Sequence, residues 1–254
     1  LKGYGFGMGA AETVAYDTVH HYLYAASVHG FVSITDYANP AEPKVTEWAL
    51  EVRDEIISMT ICDQQGLLFL AFEEDGVVEI YDTVKRQNPR EPTLRSEVAV
   101  GDYPVHVLAN SNCSVVAVCN ANDGDHALAQ GGITLLRDVA STTPTVTRIP
   151  MNNVQQAWDD HYALKKGLHM KLTKAALEYW DDYSDQKDVY NFTEARGNYE
   201  TAIFLEPASL AWSGADESEL LVVLQRNNGI VRVDVANNQA MALAGLGLKD
   251  HGIV

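Results

Sequence analysis

One pattern of short strands recurs four times along this chain and constrains its fold more than any other feature. Each copy has two apolar strands, a turn that contains glycine, a third apolar strand and an aspartate that closes it. The turn glycine and the closing aspartate are six residues apart in three copies and five apart in the last. Such repeats, at a period of roughly 40 to 55 residues, are typical of the blades of a β-propeller.

The turns between the second and third strands predict β-hairpins. Their glycines are Gly30, Gly76, Gly132 and Gly229. Asp-Gly and Asn-Gly pairs favour type I′ turns, because both central residues of such a turn need a positive φ. The connections in the second and fourth copies are predicted to span four residues. A fourth, more polar strand is expected after each closing aspartate, for example at 44–48 and 145–149.

The predicted fold is therefore all-β, a propeller with four recognisable blades and one helical insertion. Residues 1–150 carry blades one to three, and residues 201–254 carry blade four and the start of the next. Residues 151–200 break the period, and apolar residues at helical spacing in 172–180 predict helix there. Four blades leave exposed edge strands, so we expect further blades from the rest of a longer polypeptide or from a partner.

The charge of the chain excludes some classes of partner. Its 18 Lys and Arg against 35 Asp and Glu leave a net charge of −17. Nucleic acid and anionic lipid both require clustered cationic side chains, so neither is an expected partner. The longest apolar runs are strand-sized, which argues against direct membrane insertion.

The three cysteines limit the possible disulfides. Cys113 and Cys119 flank a predicted strand, which would separate them by roughly 20 Å and prevent a bond between them. Any disulfide would join Cys62 to one of these two.

Motifs of the common hydrolases and nucleotide-binding proteins are absent from the sequence, so we predict no catalytic and no cofactor-binding residues. The glycine-rich segment 5–9 precedes a strand, whereas a dinucleotide-binding loop would follow one. The aspartates that close the third strands are expected to cap the turns that follow, rather than to bind a metal together. They are Asp36, Asp82, Asp138 and Asp234.

The only calcium candidate lies in the long third hairpin connection. Its oxygen donors resemble half of a calcium loop without the closing bidentate glutamate, and a solvated polar loop is the competing interpretation. These donors are Asn120, Asn122, Asp123 and Asp125. His20 and His21 form a pair in a turn, with no third ligand nearby in sequence.

Two sequons predict N-glycosylation. Asn112-Cys113-Ser114 lies in a predicted turn, and Asn191-Phe192-Thr193 lies in the insertion. Both segments are polar, as a glycan requires.

Three segments in the last third of the chain resemble the choice-of-anchor I family, which includes proteins labelled mesenchyme-specific cell surface glycoproteins. They are Leu205 to Trp212, Leu224 to Val235 and Gly245 to His251. The earlier blades, as at 32–40, are similar to the broader YVTN and LVIVD propeller repeats. The resemblance implies a secreted or surface-displayed propeller, often of about seven blades, and supplies no catalytic residues for this chain.

Two classes of function remain open. The first is a non-enzymatic extracellular or cell-surface module that binds other protein chains, including extracellular matrix, with calcium bound to its acidic surface as a variant. The second is a metal-dependent phosphomonoesterase resembling the atypical alkaline phosphatases. The enzyme would need a metal cluster drawn from Asp123, Asp125, His126, His20 and His21.

Overall fold

The computed structural model describes residues 11–27, 30–53, 55–121, 131–151, 205–225 and 227–246. Within these ranges the chain forms four antiparallel sheets of four strands each. Strands follow one another in chain order across every sheet. Each of the four sequence repeats thus folds into one sheet, as predicted.

The strand boundaries follow the repeats closely. The first sheet consists of β1 (Ala11–Asp17), β2 (Tyr22–Ser27), β3 (Phe31–Asp36) and β4 (Lys44–Glu51). The second consists of β5 (Ser58–Cys62), β6 (Leu67–Phe72), β7 (Val77–Asp82) and β8 (Thr93–Ala99). The third consists of β9 (Pro104–Ala109), β10 (Val115–Asn120), β11 (Gly132–Arg137) and β12 (Thr145–Pro150). The fourth consists of β13 (Ser209–Ser213), β14 (Glu219–Leu224), β15 (Gly229–Asp234) and β16 (Gln239–Gly245). The expected fourth strand is present in every repeat, although β16 is mostly apolar, with Gln239 as its one polar residue.

The turns of the second and fourth sheets span four residues, as predicted, but they do not have the predicted type I′ conformation, because only one described residue in each has a positive φ. Phe72 pairs with Val77, and Leu224 pairs with Gly229, so each turn contains four residues. Gly76 adopts φ 66° at the last position of its turn, and Asn228 adopts φ 51° at the equivalent position. Because Asn228 supplies the left-handed residue, the spacing from that residue to the closing aspartate is six in the fourth repeat as well.

The third hairpin also differs from its prediction. Gly132 is the first residue of β11 and does not adopt a positive φ. Its place is explained by packing, because a Cβ atom there would lie 3.1 Å from the carbonyl oxygen of Ile149.

The sheets differ in how many of their faces are buried. Every residue of β6 and of β10 is buried, so the second and third sheets are covered on both faces. In β2 and β14, buried residues alternate with half-exposed ones, so the first and fourth sheets are fully covered on one face only. This difference follows the sequence, because β6 is a continuous apolar run of the kind expected in a fully buried strand.

Contacts divide the chain into two compact units. One contains Leu1–Val118 and Thr134–Thr147, and the other contains Cys119–Ile133 and Arg148–Val254. The first unit has two apolar cores, one on each face of the second sheet, around Leu68 and Leu70 on one side and Phe69 and Ala71 on the other. The second unit buries Leu220, Val222 and Leu224 of β14 together with Val231 and Val233 of β15.

The predicted helical insertion gains no support. Apart from Met151 it lies outside the described residues, and the described residues form no α-helix. No helix in the described ranges is long and apolar enough to cross a membrane.

Candidate interaction surface at the hairpin end of the sheets

The end of each sheet where its second strand turns into its third is called the hairpin end here. In an antiparallel sheet the fourth strand finishes at this same end. The third sheet shows this directly, because Gly132 at the start of β11 lies against Ile149 and Pro150 at the close of β12. The connection after Asn120 and the segment that begins at residue 152 therefore both leave from the hairpin end.

The chain also returns from 152–204 to this place. A Cβ atom built on Gly131 would lie 2.3 Å from the carbonyl oxygen of Leu205 and 2.7 Å from Cδ of Pro207. Contacts this close to backbone leave no room for any side chain larger than hydrogen. Gly131 is thus required where the returning segment packs on the third sheet.

A buried amide ties the returning segment to the fourth sheet. Asn227 is fully buried in the turn between β14 and β15, and its Oδ1 accepts a hydrogen bond from the backbone N–H of Glu206 at 2.9 Å. The Asn227 N–H donates in turn to the carbonyl oxygen of Leu224 at 3.1 Å. We call the group of Gly131, Leu205, Glu206 and Asn227 the Asn227 clamp. The clamp holds the C-terminal end of the long segment, and Pro150 beside Gly132 marks where that segment leaves the third sheet.

A charged cluster occupies the hairpin end of the second sheet. Arg53, in the connection between β4 and β5, donates from Nε to Oε1 of Glu79 at 2.9 Å and also pairs with Glu97. Glu79 is 3% exposed, and its Oε2 accepts a 2.7 Å hydrogen bond from the hydroxyl of Tyr81. Burial, followed by the Glu79 carboxylate, raises the pKa of Tyr81. Tyr81 therefore stays protonated and donates, as a structural partner of Glu79.

The cleft beside this cluster is small. It has a volume of about 70 Å³ and is lined by Glu55, Ile57, Phe72, Glu73 and Glu74. Buried ligand sites usually measure some 300 Å³ or more, so this cleft suits ordered water and not a metabolite.

The closing aspartates lie at the opposite end of the sheets, and two of them cap turns as predicted. Asp36 accepts from the N–H of Ala38 at 2.8 Å, and Asp234 accepts from the N–H of Asn237 at 2.9 Å. Asp82 instead pairs with Arg95 at 2.6 Å. Asp138 accepts from the hydroxyl of Thr145 at 3.1 Å, and its backbone adopts φ 53°. Each aspartate thus has its own local partner.

The calcium and metal candidates are only partly described. Asn120 is the last residue of β10 and is buried, whereas Asn122, Asp123, Asp125 and His126 lie outside the described residues. Among the residues that the structure describes, no group of three His, Cys, Asp or Glu is arranged to hold a metal ion.

The two turn histidines have protein partners. His20 lies 3.4 Å from the buried carboxylate of Asp17, and Nδ1 of His21 lies 3.0 Å from the hydroxyl of Tyr16. Asp17 also accepts from the N–H groups of Val19 and His20, as a turn cap does. These contacts give both histidines a structural role in the turn between β1 and β2.

Of the two predicted glycosylation sites, Asn112 is described and exposed, in the turn between β9 and β10. Its Oδ1 accepts a 2.9 Å hydrogen bond from the N–H of Ser114. Asn191 lies outside the described residues.

Neither the Asn227 clamp nor the Arg53 cluster was predicted. Leu205, Glu206 and Asn227 lie in the segments that resemble the family, and no motif in the sequence marks them as partners. A polar residue within an apolar repeat, such as Glu79 between Val78 and Ile80, was the available signal for the second cluster.

Comparisons with known proteins support the propeller architecture. The sequence-family model of the choice-of-anchor I domain matches residues 12–253 of this chain. Among curated protein sequences, none matches this chain significantly.

Solved structures resemble the chain in fold at very low identity. Hydrazine synthase of Kuenenia stuttgartiensis matches with a TM-score of 0.57 and 12% identity over 96% of this chain and 52% of its own. The β-propeller domain of Myceliophteria thermophila Cps50 (Swd1) matches with a TM-score of 0.56 and 13% identity over 92% and 57%. A chain of the outer coat vertex of COPII on membranes matches with a TM-score of 0.56 and 13% identity over 93% and 50%. The chain thus spans about half the length of these structures.

Proposed function

The chain belongs to the choice-of-anchor I domain family, and from that premise we propose that it is a non-enzymatic β-propeller module that binds other protein chains outside the cell or at its surface. Extracellular matrix is the partner class that we propose first. The remainder of the chain's own polypeptide is expected to supply further blades, and the division into residues 1–150, 151–200 and 201–254 is part of this proposal.

The observation that carries the proposal is the Asn227 clamp. It anchors the C-terminal end of the segment 152–204, and Pro150 lies nearby against Gly132 at the end of β12. Loops held by a rigid scaffold are where binding residues concentrate. A net charge of −17 favours a partner with a basic surface, since complementary charge speeds association and excludes like-charged partners.

An extracellular location is supported by family membership and by the exposure of Asn112 at a sequon. We propose glycans on Asn112 and Asn191, and calcium as the ion that the loop of Asn120, Asn122, Asp123 and Asp125 would take. Expression in a eukaryotic secretory host, with Asn112→Gln and Asn191→Gln, tests the first point by the change of intact mass on glycosidase treatment.

Removal of the clamped segment tests the proposed binding surface. Residues 152–204 can be replaced by a short Gly-Ser linker, because Pro150 and Leu205 both lie against the Gly131-Gly132 pair. We expect binding to immobilised collagen, laminin or fibronectin to fall at least tenfold while the Tm is kept. The matched control replaces the exposed turn 39–43, at the other end of the first sheet, by a Gly-Ser turn of equal length.

Two outcomes would count against the proposal. One is binding that is unchanged without residues 152–204. The other is hydrolysis of an aryl phosphate that requires added zinc or calcium and disappears in an Asp123→Ala, Asp125→Ala variant, which would establish the phosphomonoesterase.

A further inference from the structure

Two of the three cysteines lie side by side, although they come from different sheets. Cys62 is the last residue of β5, and Cys113 lies in the turn between β9 and β10. Each thiol lies close enough to the other to influence its pKa. Both belong to the apolar core that contains Val107 and Val116, and they are 1% and 3% exposed.

The backbone around the two thiols is held in place by contacts between the two turns. Nε2 of Gln65 donates to the carbonyl oxygen of Cys113 at 3.3 Å, and Nε2 of Gln64 donates to that of Ser111 at 3.3 Å. The strands before the turns are joined as well, because the N–H of Ala109 donates to Oγ1 of Thr60 at 3.3 Å. These contacts hold Cys62 and Cys113 next to each other where the second and third sheets meet.

Cys113 occupies the left-handed position of its turn. Cys113 adopts φ 58°, a left-handed conformation that favours glycine or asparagine. In the second sheet the turn before β6 has Gly66 at φ 65° for the same purpose. A cysteine is less suited to this backbone than glycine.

We propose that Cys62 and Cys113 form a disulfide that joins the second and third sheets when the chain folds in the presence of a disulfide oxidant, and that Cys119 remains a thiol. Cys119 is fully buried in β10 and does not belong to the apolar core that contains Cys62 and Cys113. The proposal narrows the sequence prediction, which left both partners for Cys62 open. It does not depend on the binding function proposed above.

The chemistry is a double thiol–disulfide exchange. One cysteine thiolate attacks glutathione disulfide and releases one glutathione, and the second thiolate attacks the mixed disulfide and releases the other. Two protein thiols lose two protons and two electrons, and one glutathione disulfide becomes two reduced glutathiones. Burial raises the pKa of both thiols, so little thiolate exists in the folded state and the exchange belongs to folding.

A thiol count tests the pairing without requiring a folded variant. The whole chain is refolded with reduced and oxidised glutathione, denatured and alkylated, and then mapped by proteolysis and mass spectrometry. We expect one alkylated thiol in the parent chain, two in Cys62→Ala and in Cys113→Ala, and none in Cys119→Ala. Three alkylated thiols in the parent chain, or a disulfide peptide that contains Cys119, would overturn the proposal.

Thermal unfolding provides a second and independent readout. A disulfide that closes the loop between Cys62 and Cys113 is expected to raise the Tm by about 5–10 °C. Reduction should therefore lower the Tm of the parent chain and of Cys119→Ala, and leave the Tm of Cys62→Ala unchanged. If reductant lowers the Tm of Cys62→Ala as much as that of the parent chain, the loss of stability does not come from a Cys62–Cys113 disulfide, and the proposal is overturned.

Discussion

Arg53 and Glu79 form an ion pair that brings a buried carboxylate into contact with a half-exposed guanidinium. The two side chains are joined by Nε–Oε1 and Nη2–Oε1 contacts of 2.9 and 2.7 Å, and Glu79 is 3% exposed. A buried carboxylate that loses its cation keeps the desolvation cost of its charge. The pair is therefore a point at which a single substitution should matter for stability.

Replacement of Arg53 should destabilise the fold. We expect Arg53→Ala to lower the free energy of unfolding by about 2–3 kcal/mol, because Glu79 would lose its cationic partner. Arg232→Ala is the matched control, since Arg232 and Glu219 are both exposed and lie 3.7 Å apart, and it should cost about 0.5 kcal/mol or less. Urea unfolding measures both. If the two substitutions lowered the free energy of unfolding equally, the burial of Glu79 would not make its ion pair more important than an exposed one.

The pKa of Asp36 should make part of the stability depend on pH. Hydrogen bonds from the guanidinium of Arg86, then from the N–H of Ala38, lower the pKa of Asp36. A carboxyl group with a lowered folded pKa contributes stability above its unfolded pKa, about 3.9, and loses it as the pH falls through the folded value. Arg86→Gln should therefore reduce stability at neutral pH, and the difference from the parent chain should shrink below pH about 4.

The control for this prediction is Asp36→Asn, which removes the titrating group. Arg86 also donates to the carbonyl oxygen of His20 at 2.8 Å and lies 5.0 Å from the ring centroid of Tyr22, and neither contact needs a charged Asp36. In the Asp36→Asn background, the effect of Arg86→Gln should be independent of pH. Urea unfolding at several pH values between about 3 and 7 decides this.

Gly76 and Gly66 should respond differently to alanine, although they share a left-handed backbone. A Cβ atom on Gly76 would lie 2.9 Å from the carbonyl oxygen of Gly101, whereas on Gly66 it would lie 3.3 Å from the hydroxyl of Thr83. A side-chain hydroxyl can rotate away and a backbone carbonyl cannot. Gly66→Ala should cost about 1 kcal/mol from backbone strain alone, and Gly76→Ala clearly more. A comparison of their Tm values checks the order.

The difference in burial between the second and fourth sheets should be visible in large-to-small substitutions. Leu68→Ala, at a fully buried position in β6, should cost about 3 kcal/mol. Leu221→Ala, at a half-exposed position in β14, should cost about 1 kcal/mol in this chain. A longer polypeptide that covers the half-exposed face should raise the cost at Leu221 and leave that at Leu68 unchanged. Chemical unfolding of the two variants, in this chain and in the longer polypeptide, tests whether further blades pack on the half-exposed face of the fourth sheet.

Local patterns along the chain were sufficient to predict the strands. A residue in a strand faces one side or the other with a period of two, and a fully buried strand is simply apolar, so 67–72 and 220–224 were identified from their composition. The left-handed residue in each turn was harder to place. Asn228 and Gly229 both suit a turn, and the pairing of Leu224 with Gly229 decides which of them lies in it.

The repeat, the all-β class, the order of the strands within each repeat and the family can all be predicted from the sequence, because they depend on residues close together in the chain. Which distant residues meet is set by tertiary packing. Glu206 bonds to Asn227 across 21 positions, Arg53 reaches Glu79 across 26, and Cys62 rather than Cys119 contacts Cys113. Such contacts depend on how strands pair and on which faces of the sheets are covered. The identity of a residue does not reveal its partner. A buried polar group needs a hydrogen-bond partner, and the fold decides which distant residue supplies it.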